Sequence, residues 1–205
     1  MTATYIALEG PDGVGKSTVA AALRERLLRR TPTPYSAVRI RHFPTDALVE
    51  CVQRDNHLRL TAEDYARDME NWLSFRQEPV LFPRTPTEAS EGQLYILDRW
   101  ALSTAVYASL RNEKIQENTA LTLNWLNRVP LTTFVLMPRH PAELTDPDYP
   151  DPDGYDPLPV TEAYRKFLTN AFVAGEMSRF IPIAVDRTVD TPDSVAAEIA
   201  EWTVG

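Results

Sequence analysis

The stretch "ALEGPDGVGKSTVAAALRERL", Ala7 to Leu27, narrows more than any other what this chain can fold into. Three of the seven glycines, Gly10, Gly13 and Gly15, fall within six residues, after an apolar run and directly before one of only three lysines, Lys16. Glycines gather where a backbone must turn tightly or approach another group closely. Tyr5 to Leu8 reads as a short strand, and Ser17 to Arg30 as a helix with Val19, Ala22, Leu23 and Leu27 on one stripe. Strand, glycine-rich turn and helix in succession form the opening unit of a parallel sheet. Gly10-Pro11-Asp12-Gly13-Val14-Gly15-Lys16-Ser17 fits G-x-x-x-x-G-K-[ST], the phosphate-binding loop. There, backbone N–H groups converge on an anion and the following helix adds its positive end. Gly10, Gly13, Val14, Gly15, Lys16, Ser17 and Thr18 are the predicted cradle for the phosphates of a nucleotide. Lys16 would reach the β- and γ-phosphates, and the Ser17 hydroxyl would help hold Mg2+. The loop alone leaves ATPase, GTPase and kinase open, although the guanine-reading N-K-x-D of a GTPase is absent from the sequence.

The remainder alternates apolar runs with amphipathic stretches. "AVRIRHF" (Ala37 to Phe43), "QLYILD" (Gln93 to Asp98), "TTFVLM" (Thr132 to Met137) and "FIPIAV" (Phe180 to Val185) read as further strands. Helical patterns run over 62–77 behind an N-cap at Thr61, over 99–110, 119–129 and 161–174, and from Asp193 to Val204. This order predicts an α/β, three-layer architecture, the P-loop NTPase fold: about five parallel strands with helices on both faces. At 205 residues the chain suits a single domain spanning 1–205. Within it, the proline-rich, acidic segment of about 140–159 reads as a lid-like excursion. A net charge of -8 argues against a nucleic-acid polymer as partner, which needs clustered Lys and Arg. The lone cysteine, Cys51, and the lack of a leader or a long apolar run predict a cytoplasmic protein without a membrane segment.

"LEGPDGVGKS", then "HFP" at His42 to Pro44, "WLSFR" at Trp72 to Arg76 and "DRWALSTAVY" at Asp98 to Tyr107 carry a resemblance. Nearly end to end, the chain resembles the thymidylate kinase family of P-loop nucleoside monophosphate kinases. The resemblance implies ATP-dependent, Mg2+-assisted phosphorylation of a deoxynucleoside monophosphate, dTMP to dTDP. The alternatives are another dNMP as acceptor, or a weakly catalytic or non-catalytic nucleotide-binding relative. It also implies a homodimer. Lys16, Asp12 and Arg99 would be catalytic, with Asp12 approaching the acceptor sugar and Arg99 a phosphate. Phe43, Trp72, Arg76, Ser103, Thr104 and Tyr107 would complete the acceptor pocket. Spacing alone leaves Trp72 and Arg76 open between a core aromatic beside a surface arginine and a base-binding pair. The resemblance implies the second, with the indole stacking on the base and Arg76 donating to a base carbonyl. Asp98 reads equally as a carboxylate acting on Mg2+ through water, beside Ser17, or as an orienter of Arg99.

Two departures stand out. Family members place an arginine near the transferring phosphate in the loop or the lid, whereas this loop has Gly13 and Val14, and no Lys or Arg lies between Arg139 and Arg165. The lid carries Glu143, Asp146, Asp148, Asp151, Asp153 and Asp156 instead.

Overall fold

The computed structural model describes residues 4–30, 35–42, 92–111, 131–144, 156–173 and 180–204. Its centre is the apolar run that precedes the glycines. Strand β1 (Thr4–Glu9) is buried from Ile6 onward on both faces, as a strand flanked by parallel neighbours and covered on two sides must be. It pairs in parallel with β3 (Gln93–Asp98) and β4 (Thr132–Pro138). β2 (Ala37–His42) adds to β3, and β5 (Phe180–Val185) to β4, giving one five-stranded sheet of order β2-β3-β1-β4-β5. All four pairings are parallel, as the alternating sequence predicts.

Alternation along the strands divides two cores. Ile6, Leu8, Leu94, Ile96, Phe134, Leu136, Ile183 and Val185 face a layer made by α1 (Lys16–Arg29) and α4 (Pro192–Val204). Leu23 and Leu27 of α1 meet Val195, Ala196 and Ile199 of α4 in that layer. Each fully buried side chain of this size contributes about 1.5–3 kcal/mol. The odd positions of β1 look the other way, toward α2 (Ala101–Arg111) and α3 (Pro157–Val173). There Glu9 meets the start of α2, Ser103 of α2 meets Tyr164 of α3, and Phe167 packs edge-on against Phe180. Helices therefore cover both faces.

Helix ends differ from the sequence prediction for local reasons. The third helix starts at Pro157 rather than at residue 161, because Asp156 accepts the Leu158 N–H through its side chain at 2.9 Å and Pro157 suits the first helical position. Asp156, counted among the acidic lid residues, is thus a helix cap. The fourth begins at Pro192, behind a reciprocal cap in which Ser194 N–H donates to Thr191 Oγ1 and Thr191 N–H to Ser194 Oγ. The second begins at Ala101, not at Arg99, whose φ of 73° is incompatible with a right-handed helix. No helix among the described residues is long and apolar enough to cross a membrane.

The phosphate loop is pressed onto the sheet. Gly10 has φ 137°, and a side-chain carbon there would collide with the Leu136 carbonyl of β4. Gly10→Ala is expected to lower stability by about 2 kcal/mol or more, read from urea unfolding; an unchanged midpoint would contradict this packing.

Candidate functional site

All five strands point their carboxyl ends to one edge, and the chain's chemistry collects there. The connection after β1 enters α1 on one face, while the connection after the neighbouring β3 enters α2 on the other. Such a divergence opens a crevice between adjacent strand ends, where ligands of open α/β sheets bind. The phosphate loop fills one lip of it and Asp98-Arg99-Trp100 the other.

Gly15 caps α1 in the left-handed conformation (φ 97°) with open space around it, and its carbonyl accepts the Val19 N–H at 2.9 Å. The loop thus runs directly into the helix N-terminus at Gly15. Val14, predicted as part of the cradle, is buried with its side chain in the core, so its backbone is what it offers to a ligand. Lys16 is buried, with Nζ donating to the carbonyls of Gly10 at 2.9 Å and Pro11 at 2.7 Å and lying 3.8 Å from Asp12 Oδ1. A buried ammonium needs such oxygens. Ser17 Oγ donates to Asp98 Oδ2 at 2.6 Å, which joins the two residues predicted for Mg2+. Hydroxyl and carboxylate are hard oxygen donors that suit Mg2+, an ion usually held by few protein ligands together with phosphate and water. Among the described residues no cluster of three or more His, Cys, Asp and Glu is arranged to hold a metal ion by itself.

Asp12, Arg99 and Tyr107 come together. The Arg99 guanidinium forms an ion pair with Asp12 Oδ1, the Tyr107 hydroxyl donates to Asp12 Oδ2, and the Arg99 guanidinium carbon lies 5.4 Å from the centre of the Tyr107 ring. Charge and ring quadrupole both hold the arginine in place. Ser103 lies 3.4 Å from Arg99 Nη1 and is buried. Thr104 is on α2, but its side chain, like all of Phe43, Trp72, Arg76 and the lid residues 145–155, lies outside the described residues. Of the other arginines that the sequence offers near the lid, Arg139 follows β4 at this same edge, its N–H bonded to the Val185 carbonyl, whereas Arg165 pairs with Glu162 on the exposed side of α3.

Two residues escaped the sequence analysis. Glu9 is fully buried and accepts from Trp100 N–H at 2.8 Å, from Ser103 N–H at 3.1 Å, and from the Ser103 hydroxyl. Tyr164, also fully buried, lies 2.8 Å from Ser103 Oγ. A carboxylate closing an otherwise apolar strand was the available signal for Glu9, because it must find donors wherever it is buried. Tyr164 lies on an apolar stripe with Val160, Phe167 and Ala171, which disguised it as ordinary core. Burial pushes the Glu9 carboxyl from 4.5 up to about 7, against the pull of the Ser103 hydrogen bonds and of the Arg99 and Lys16 charges. Burial, and then the nearby Glu9, drive the Tyr164 hydroxyl well above its ordinary value.

No family profile matches the sequence, and no curated protein matches it either. Solved structures do. The thymidylate kinase of Ehrlichia chaffeensis is similar over 99% of this chain and 99% of its own, at 16% identity and a TM-score of 0.55. A NadR protein solved in complex with NR is similar over 98% of this chain but 50% of its own, at 18% identity and a TM-score of 0.53. The chain has an α/β P-loop fold. At such identities the likeness is one of fold, and the chain's own residues must supply any argument about chemistry.

The raised Glu9 carboxyl has a consequence for stability. The native state holds this proton more tightly than the unfolded chain, so the contribution is fully present below about pH 4.5 and is lost as pH rises through about 7. The gap corresponds to about 3 kcal/mol. Relative to Glu9→Gln, which cannot ionise, the wild type should lose about that much between pH 4.5 and 8 in urea unfolding; parallel pH profiles would contradict the assignment.

Proposed function

We propose that the chain is a nucleoside monophosphate kinase transferring the γ-phosphoryl group of ATP to a deoxynucleoside monophosphate, with dTMP as the preferred acceptor. The observation that carries this reading is Asp12, held between Lys16 of the phosphate loop and the Arg99–Tyr107 pair. That bridge joins a donor-phosphate cradle to a cationic, aromatic-walled position on the opposite lip of the crevice. An arginine there suits an anionic acceptor, and an aromatic ring beside it suits a sugar face.

In this mechanism an acceptor phosphate oxygen, already an anion at neutral pH, forms a bond to the γ-phosphorus while the bond from that phosphorus to the β–γ bridging oxygen breaks. ADP leaves with the electron pair, and no general base is required. Catalysis then consists of alignment and charge neutralisation. Lys16 exchanges its loop carbonyls for donor phosphate oxygens, the loop amides hold the same phosphates, and Arg99 binds the acceptor. Ser17 and Asp98 would hold Mg2+, which when bound neutralises charge on the β- and γ-phosphate oxygens. Trp72, Arg76 and Phe43 are proposed to bind the acceptor base, and the thymidylate kinase resemblance further suggests a homodimer.

A second reading has a hydroxyl as the acceptor. It is favoured by the Asp12 carboxylate 3.8 Å from Lys16, since a hydroxyl, unlike a phosphate, benefits from a base that takes its proton.

Purified protein with ATP-Mg2+ should phosphorylate dTMP faster than dUMP, dGMP, dCMP, dAMP or the corresponding nucleosides. Turnover of nucleosides alone would replace the first reading by the second, and nucleotide binding without any turnover would defeat both. Lys16→Ala should lower kcat by about 100-fold or more with the far-UV spectrum retained, as for other lost transition-state donors. Arg76→Ala should act chiefly on the acceptor KM.

A further inference from the structure

Among the described residues, Arg99 is the non-glycine residue with a positive φ, 73°. Such a backbone is strained for an ordinary side chain and persists only where its surroundings over-determine it. Here the surroundings are two consecutive residues of β1. The Arg99 N–H donates to the Leu8 carbonyl at 3.0 Å, and the next N–H, that of Trp100, donates to Glu9 Oε1 at 2.8 Å. The strained residue is therefore fastened on both sides by the neighbouring strand.

Glu9 reaches further. Both of its oxygens lie 3.1 Å from the Ser103 N–H, and Oε2 also accepts the Ser103 hydroxyl. Ser103 N–H belongs to the first turn of α2, where amides lack partners within the helix. That helix has no acidic residue in its first turn and Trp100 where a capping side chain would stand, so a carboxylate from another strand takes the capping role. Ser103 Oγ is in turn 3.4 Å from Arg99 Nη1. One buried group thus touches the backbone after Arg99, the helix that follows, and the hydroxyl beside the guanidinium. Burying a carboxylate is costly, and an apolar residue would close the strand more cheaply.

We infer that Glu9 is a positioning residue: by fixing the Arg99–Trp100 turn and Ser103, it presents the Arg99 guanidinium to the phosphate loop. This rests on the kinase reading insofar as Arg99 binds acceptor phosphate; the placement of Arg99 by Glu9 stands apart from it.

A double-mutant cycle tests the assignment. Glu9→Gln keeps the size of the side chain but sets an amide NH2 against one of these donors. Alone it should lower kcat/KM for the acceptor by about 10-fold or more while the ATP KM stays within about twofold, and in an Arg99→Ala background it should change kcat/KM by less than about twofold. Full additivity of the two substitutions would overturn the inference and leave Glu9 a fold element only. If Glu9→Gln does not fold, the same cycle is run with Ser103→Ala, which removes the second link while leaving Glu9 its backbone donors. If the wild type turns over no acceptor, the kinase reading fails, and the readout becomes hydrogen exchange at Arg99 Nε–H in the ligand-free protein. Acceleration of that exchange by about 10-fold or more in the variant would sustain the positioning role, and an unchanged rate would end it.

Discussion

The structure turns on the parallel pairing of β1 with β3 and on how it ends. Register matches Leu8 with Asp98, and the last bond of the ladder runs from the Arg99 N–H to the Leu8 carbonyl. Beyond it the two chains part, one into the phosphate loop and α1, the other into α2 on the opposite face. The described residues assigned a role follow that parting along the two chains, from Glu9 to Thr18 on one and from Asp98 to Tyr107 on the other. Slipping the pairing by one residue would turn Glu9 toward the wrong face and separate Ser17 from Asp98, so the site depends on register as directly as the core does.

Polar burial follows the same geography. The described residues that are both buried and polar or charged are Glu9, Lys16, Asp98, Ser103, Thr133 and Thr161, and four of these six line the crevice between β1 and β3. Charges there alternate in space: Asp12 stands between Lys16 and Arg99, and Glu9 beneath Arg99. Each buried charge has an opposite charge or oriented dipoles near it, which is the condition for keeping ions out of water at tolerable cost. On the proposed function, the same alternation would ready the site for an anion, because each cation already rests against oxygens that phosphate oxygens can replace.

Much of this was legible in the sequence because it is local. Glycine spacing, the lysine and the apolar run identified the loop, and the alternation of apolar runs with amphipathic helices identified a five-stranded parallel sheet. Asp12, Arg99 and Tyr107, separated by up to 95 residues, were anticipated through resemblance and not through spacing, and the structure brings them within contact. What the sequence hid depends on partners distant along the chain. Glu9 looked like the last residue of a strand because its donors are 91 and 94 residues away. Tyr164 looked like core because its one polar atom leaves no trace in a hydrophobic stripe. The start of α3 was placed late because its prolines read as loop, although Asp156 makes them a helix opening.

Helix α1 begins inside the phosphate loop and is packed both on the sheet and against α4 beside it, whose first turn is locked by the Thr191–Ser194 cap. The loop is thus a surface feature with the stiffness of an interior one. On the proposed function, a loop whose backbone is already set by packing would need little ordering to take a phosphate, and interaction energy that a floppy turn would spend on becoming organised would remain available for affinity. The final helix of the chain, far from the crevice in sequence, in this way braces the helix that carries the phosphate loop.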